Sequence, residues 1–318
     1  MTDFFRNRTV LVTGGAGFLG QKVVERLARV GTKRIAVPRS AICDLTNWEQ
    51  TRAYIQANQP DIVIHLAGRV AGIGGTSANP AGSFRDNLMM GAHVIDACHE
   101  VGVSKLVLLG TVCSYPKHCP VPGKESDLWN GYPEETNAPY GLAKKAILVQ
   151  AQAYRQQYGM NAIYLISANL YGPGDNFDPS TSHVIPALIR RFMAAAESGQ
   201  KEVVCWGDGT PTREFLYVDD CADAILIATE IYSGAEPVNL GSGEEISIRS
   251  LAEMIASLTG YTGTISWDQS KPNGQPRRRW DVSRAAQEFG FRASIPLSRG
   301  LAETVDWYRK HAASGANG

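Results

Sequence analysis

Residues 9–20, TVLVTGGAGFLG, run an apolar segment straight into a glycine-rich loop, and no other stretch of the chain limits its fold so tightly. The β-branched and leucine side chains of residues 9–13 suit a strand buried on both faces. Gly14, Gly17 and Gly20 then give G-x-x-G-x-x-G, where a tight turn, a close backbone approach and close packing of helix on strand each exclude a side chain. Residues 21–30 continue with Val23, Val24 and Leu27 on one helical face. Strand, loop and helix in that order open a βαβ unit, and the N–H groups freed at the helix start suit a phosphate.

Further short β-branched or leucine-rich runs at 34–37, 61–66, 105–109 and 162–166 are separated by helix-length segments. This alternation predicts an α/β fold with a doubly wound parallel sheet of the Rossmann type. From Leu170 to about Pro211 the chain is rich in Gly, Pro, Asp and Asn, with an apolar helical stretch at 184–196. The rhythm breaks there, so a smaller, partly interleaved C-terminal α/β domain is expected. At roughly 150 residues per domain, 318 residues suit two. Residues 1–169 form the first, 170–213 and 241–318 the second, and 214–240 return to the first. Residues 214–232, EFLYVDDCADAILIATEIY, read as a helix with an aspartate cap, and the tail SGANG reads as disordered.

Lysine plus arginine equals aspartate plus glutamate, 31 against 31, so no net field draws the chain to nucleic acid or an anionic membrane. An anionic ligand must then be held by local cations. The six cysteines show no C-x-x-C pair and no histidine-coupled metal spacing, which excludes a disulfide-stapled domain or a structural metal site. The chain opens without a signal-type apolar region and has no run near the roughly 20 apolar residues of a membrane span. A reduced, cytoplasmic protein is expected.

The second strand ends Val37, Pro38, Arg39, Ser40, with an arginine where an acid would bind the ribose hydroxyls of NAD. NADP(H) is therefore the expected cofactor, with Arg39 and Ser40 at its phosphate. Asp44 suits an adenine contact or a helix N-cap. Gly14, Gly17, Phe18, Leu19 and Gly20 complete the expected contacts in the first loop, and Leu66, Ala67 and Gly68 those after the third strand. His65 lies at that strand's end, beneath the cofactor, with no chemistry assigned.

Tyr140 and Lys144, in PYGLAKKA, share a helical face at i and i+4. A phenol with a pKa of about 10 is a poor proton carrier at neutrality, and an ammonium beside it lowers that value. Thr111, in LVLLGTVCSYP, follows a strand and offers a hydroxyl to a carbonyl oxygen. Glycine loop, strand-end hydroxyl and Tyr-x-x-x-Lys together resemble the extended short-chain dehydrogenase/reductase family over nearly the whole chain. Within it, TVCSYPK, NAPYGLAKK, NLYGPGDNFDPSTSHVIPALIRR, WGDGTPTREFLYVDD and SKPNGQPRRRWDVSR narrow the likeness to a nucleotide-sugar epimerase/reductase branch.

That resemblance implies action on GDP-4-keto-6-deoxy-D-mannose, with inversion at C3 and C5 and NADPH-dependent reduction at C4. It implies Cys113 and His183 as the proton-moving pair, Tyr140 and Lys144 as the reducing pair, and a homodimer. Arg191, Trp206 and Arg213 match positions that hold GDP, and Asn169 and Lys271 extend that set. Chemistry agrees: a 4-keto group acidifies both neighbouring C–H bonds, and thiol and imidazole pKa values tune toward neutrality. Arginine forks also suit a pyrophosphate, and an indole suits a base. Residues 277–279 are a positive run open either to solvent or to phosphate. A related GDP-4-keto sugar, a GDP-mannose 3,5-epimerase activity, or a non-catalytic cofactor-binding scaffold are the alternatives.

Overall fold

A computed structural model describes residues 3–70, 79–271 and 273–312. The tail SGANG and most of the AGIGGTSANP segment at 71–80 lie outside them. The strand-like runs form β1 (Thr9–Thr13), β2 (Arg34–Ala36), β3 (Ile62–His65), β4 (Lys105–Thr111) and β5 (Ala162–Ser167). With β10 (Val238–Leu240) they make a six-stranded sheet in the order β10-β5-β4-β3-β1-β2, parallel throughout. Residues 10–12, 62–64 and 106–108 are essentially fully buried, which explains why these strands carry no polar alternation.

Helices cover both faces, as right-handed crossovers between parallel strands require. Helix α1 (Phe18–Arg29) packs against α6 (Val218–Ile231) on one face. On the other, α2 (Trp48–Asn58) packs against α3 (Pro80–Val101), and α3 against α4 (Ala138–Tyr158). The strand order reverses at β1, which lies between β2 and β3, and ligands of such sheets bind at the carboxyl ends beside that switch point.

A second apolar cluster gathers on α5 (Val184–Ser198), α7 (Ile248–Thr259) and α9 (Leu297–Ala312), with Tyr171, Val203 and Phe215. Beside it run the pairs β6 (Asn169–Tyr171) with β9 (Phe215–Tyr217) and β7 (Glu202–Trp206) with β12 (Thr264–Asp268). A third small sheet joins β8 (Thr212–Arg213) to β11 (Ile246–Ser247) and β13 (Arg277–Arg278). Helix α8 (Ser283–Phe289) and Trp280 pack on the larger cluster with β10 and α6.

The stretch 214–232 is not one helix. Residues 215–217 are strand, because their side chains are buried against β6 and the second cluster, and α6 begins only at Val218. No side chain caps α6; Asp219 and Asp220 lie in its first turn, where they favour the helix dipole. Asp220 accepts hydrogen bonds from the backbone of Ser294 and Ile295, and Asp219 pairs with Arg26 of α1 at 2.9 Å. Tertiary partners have taken the carboxylates that a cap would use.

Candidate active site

The glycine loop is pressed onto the sheet. Gly14 has φ 70°, in the left-handed region, and a Cβ there would stand 2.7 Å from the Ala67 backbone nitrogen. A Cβ on Gly20 would come within 2.0 Å of the Gly14 carbonyl oxygen. Gly17 leads into α1 in an extended conformation, with no capping side chain and no acid in the first turn. The first-turn N–H groups of Phe18, Leu19 and Gly20 therefore offer an uncompensated positive helix end beside the Leu66, Ala67 and Gly68 loop.

Arg39 and Ser40 are exposed just past β2, and Arg39 forms no ion pair among the described residues. Asp44 accepts hydrogen bonds from the Thr46 amide at 2.9 Å and the Thr46 hydroxyl at 2.8 Å, which hold its pKa down. It is not the cap of α2. Asn47 is, accepting from the Gln50 amide at 3.0 Å, a pairing announced by Asn-x-x-Gln at 47–50.

Thr111 ends β4, and its hydroxyl accepts a 3.2 Å hydrogen bond from the Cys113 amide and acts on the Tyr140 phenol, lowering its pKa. What allows this closeness is Gly141. A Cβ there would lie 2.3 Å from the Cys113 carbonyl oxygen, while Ser114 donates to the Gly141 carbonyl at 2.9 Å. Helix α4 thus sits directly on the loop after β4. Lys144, one turn on and only 3 % exposed, places Nζ 3.8 Å from where a Gly68 Cβ would be. Thr111, Cys113, Tyr140, Lys144 and the Gly68 loop are one assembly.

Its electrostatics differ from the expectation. Burial pushes the Tyr140 phenol up, reinforced by Cys113 and opposed by the Thr111 hydroxyl. Burial also brings the Lys144 ammonium down to about 8. The phenol is raised and not depressed as expected, because taking it from water disfavours its charged form, and the same cause lowers the ammonium. The Cys113 thiol is likewise raised by burial, against a downward pull from Thr111 and Arg278. A neutral phenol, neutral thiol and titratable lysine are the resting forms near neutrality.

His183 immediately precedes α5, extended at φ −78° and ψ 176°, and makes no capping hydrogen bond. Surrounding protein lowers its pKa, but the residue is exposed and solvent screening discounts that push. Among the described residues no hydrogen bond joins its imidazole to the Tyr140 assembly.

Among the small strands that follow β6, the expected cations are arranged differently. Arg191 on α5 donates to the Val204 carbonyl of β7, and Trp206, 67 % exposed at the end of that strand, carries Lys271 Nζ 5.9 Å above its ring. Asn273 holds the connecting turn by accepting from the Asp208 amide at 2.8 Å. Asn169 on β6 donates to the Glu214 carbonyl at 3.3 Å. Arg213 donates to the Thr212 and Gln275 carbonyls at 2.7 and 2.6 Å, and burial together with the neighbouring Arg278 charge lowers its pKa to about 10.

Arg278 resolves the ambiguity of the 277–279 run. Strand alternation sends Arg277 outward to Glu245 at 2.6 Å and turns Arg278 inward, where it donates to the Val112 carbonyl at 3.3 Å and acts on Cys113. Arg213 and Arg278 are thus like charges side by side, and neither forms an ion pair with a carboxylate among the described residues. Two depressed, unpaired guanidinium groups are a site for an anion. Glu214 was invisible in the sequence: fully buried, it accepts from the Gly243 and Trp280 amides at 2.9 and 2.8 Å and so fixes the strand that carries Arg278.

Residues 10–241 match the family described as NAD dependent epimerase/dehydratase family. The chain is 42 % identical over 306 residues to the GDP-L-fucose synthase 1 of Arabidopsis thaliana, covering 96 % of this chain and 94 % of that one. It is 38 % identical over 308 residues to the GDP-L-fucose synthase of Escherichia coli (strain K12), covering 94 % and 96 %. Among solved structures, a GDP-L-fucose synthetase from Naegleria fowleri bound to NADP superposes with a TM-score of 0.88 at 26 % identity, covering 99 % of this chain and 97 % of the other. A GDP-6-OMe-4-keto-L-xylo-heptose reductase from C. jejuni gives 0.90 at 27 % identity, covering 96 % and 99 %. With a switch-point glycine loop, a Thr-Tyr-Lys set at the end of β4 and these relatives along nearly its whole length, the chain belongs to the NAD dependent epimerase/dehydratase family, among the GDP-L-fucose synthases.

Proposed function

We infer that the chain is an NADP(H)-dependent epimerase/reductase that converts GDP-4-keto-6-deoxy-D-mannose to GDP-L-fucose. The observation that carries this reading is a single hydroxyl, Thr111, which accepts from the Cys113 amide at 3.2 Å and also acts on the Tyr140 phenol, holding its pKa down against burial. Carbonyl polarisation and a thiol come from the turn after β4, and proton delivery from the helix packed on that turn. A dehydratase would need an acid beside Thr111, where Val112 and Cys113 stand.

The glycine loop, the uncapped α1 terminus and the acid-free end of β2 fit a dinucleotide with a 2′-phosphate, held by Gly14, Gly17, Phe18, Leu19, Gly20, Arg39 and Ser40, with Asp44 toward the adenine. When bound, NADPH supplies the hydride for C4. Arg191, Arg213 and Lys271 would hold the pyrophosphate and Trp206 the base, with Asn169 reaching the same nucleotide.

Cys113 and His183 exchange protons at C3 and C5, one removing the hydrogen that the C4 carbonyl acidifies and the other returning one to the opposite face. Tyr140 then gives its proton to the C4 oxygen as that carbonyl is reduced. A neutral phenol suits a donor, and Lys144 stabilises the phenolate left behind. The units 1–169 with 214–240, and 170–213 with 241–318, would carry cofactor and nucleotide sugar respectively. Among the described residues no helix is long and apolar enough to cross a membrane; a homodimer in the cytoplasm completes the reading. Product NMR after incubation with the keto sugar and NADPH tests it: GDP-L-fucose with matching loss of NADPH absorbance is expected, and an unchanged or C4-reduced, uninverted sugar would refute it.

A further inference from the structure

Asn239 sits in the edge strand β10, 1 % exposed, and both polar atoms of its side chain are engaged. Its Oδ1 accepts a 2.6 Å hydrogen bond from the buried Tyr115 hydroxyl, and its Nδ2 donates to the carbonyls of Gly123 at 3.3 Å and Asp281 at 3.1 Å. Chemistry fixes the orientation of this amide, because two carbonyl oxygens can only accept and so must face its NH2 group. At the strand's open edge the Asn239 backbone N–H donates to buried Glu125 at 2.9 Å. One residue thus joins the turn after β4, the 123–125 loop and the chain just past β13.

What those segments carry gives the junction its meaning. Tyr115 stands two residues past Cys113, and its amide donates to the Val112 carbonyl at 3.2 Å. The same carbonyl accepts from Arg278 Nη1 at 3.3 Å, which anchors the guanidinium one residue before the thiol. Arg278 also lies over the Trp280 ring, 5.5 Å from its centroid, and Trp280 packs on the Tyr115 ring at 4.4 Å with 34° between the planes. Gly123 closes the clamp from below. Its amide donates to the Arg279 carbonyl and its carbonyl accepts from the Asp281 amide, both at 2.9 Å, and a Cβ there would stand 2.9 Å from the Trp280 ring. Glu214 holds the same strand through the Trp280 amide, but among the described residues it makes no hydrogen bond to the Cys113 turn. Asn239 is the residue that grips the supports of both.

We propose that Asn239 is a positioning residue for proton exchange at C3 and C5: by holding Tyr115 together with the Gly123 and Asp281 backbone, it locks the turn that carries Cys113 against the strand that carries Arg278. A buried amide with its donors and acceptor all engaged has one geometry, and a base that must meet a particular C–H bond needs one. The role rests on the reading that Cys113 exchanges those protons; the thiol measurement below does not.

The test compares Tyr115→Phe and Asn239→Leu with the parent, all carrying bound NADP. Tyr115→Phe keeps the ring on Trp280 and deletes one hydrogen bond, whereas Asn239→Leu keeps the volume and removes three. Alkylation of Cys113 by iodoacetamide, followed by peptide mass spectrometry with no sugar present, reads the thiol directly. Burial raises that thiol and the Arg278 charge opposes the rise, so a loosened clamp moves the alkylation profile to higher pH, by about half a unit in Tyr115→Phe and about one unit in Asn239→Leu. Deuterium exchange at C3 and C5 falls about fivefold and twentyfold respectively, while NADPH affinity and reduction of an already inverted sugar stay within about twofold. If Asn239→Leu does not fold, Tyr115→Phe alone decides. An unmoved alkylation profile overturns the proposal, as does a loss spread equally over exchange, reduction and NADPH affinity, the pattern of general loosening. If the parent exchanges neither carbon while the thiol profile still shifts in the variants, the substrate reading fails and the junction stands.

Discussion

The Tyr140 and Trp206 regions of the proposed site are built differently. Around Tyr140 the groups are buried or half-buried, their charged forms disfavoured by burial, and they are fixed by close packing: Gly141 against Cys113, Gly68 against Lys144, Thr13 against His65. Around Trp206 the groups are cations on short strands and turns, partly open to solvent and anchored by carbonyls. Proton transfer needs positions held to a fraction of an ångström and pKa values moved by a dry environment. Holding a charged nucleotide needs standing positive charge. Arg278 is where the two meet, since it neighbours Arg213 on one side and Cys113 on the other.

If that contrast is right, substitutions on the buried side act on kcat and those on the open side on KM. Tyr140→Phe is the largest case: it removes the proton donor and should depress C4 reduction about 10³-fold, leaving NADPH affinity within about twofold by fluorescence titration. Cys113→Ser should cost about 10²-fold in C3 and C5 exchange, more than it costs reduction of an already inverted sugar, as measured by proton NMR in heavy water. On the open side, Arg213→Leu should raise KM for the GDP-sugar roughly tenfold or more at unchanged kcat, with a weaker salt dependence of binding. Equal losses in kcat and KM for all three would dissolve the distinction.

Smaller in activity terms but sharper physically is Lys144. Its folded pKa of about 8 lies below the unfolded value of about 10.5, so the folded state binds fewer protons between these pH values and gains stability as pH rises through them. At neutral pH the buried ammonium is therefore a cost. Lys144→Met should raise thermal stability by on the order of 2 kcal/mol, a shift of several degrees by calorimetry, while abolishing reduction. In the parent enzyme the reduction rate should fall as pH rises through about 8, because the ammonium is then lost.

The same contrast governs how much could be read from the chain alone. Glycine spacing and the i, i+4 pair are local signals, fixed by one loop and one helix, and TVLVT or LVLLGT could be nothing but buried strand. Long-range contacts left no such trace. Glu214 is one acid among 31 acidic residues until Gly243 and Trp280 arrive to donate to it. Arg278 differs from Arg277 and Arg279 only through the pleat of a two-residue strand. Asp219 and Asp220 read as a cap because Arg26 and residues 294–295, their actual partners, are far away in sequence. The direction of the Tyr140 shift was missed for the same reason, since the i, i+4 spacing suggests an ammonium nearby and carries no sign of the desolvation that raises the phenol.

The central claim is that inversion and reduction share a pocket but not their proton carriers. Incubating Tyr140→Phe with NADPH and GDP-4-keto-6-deoxymannose in heavy water tests it most directly. The account predicts deuterium at both C3 and C5 of the recovered keto sugar, at a rate near that of the parent, with NADPH almost unconsumed. Loss of exchange at both carbons alongside the loss of reduction would contradict it.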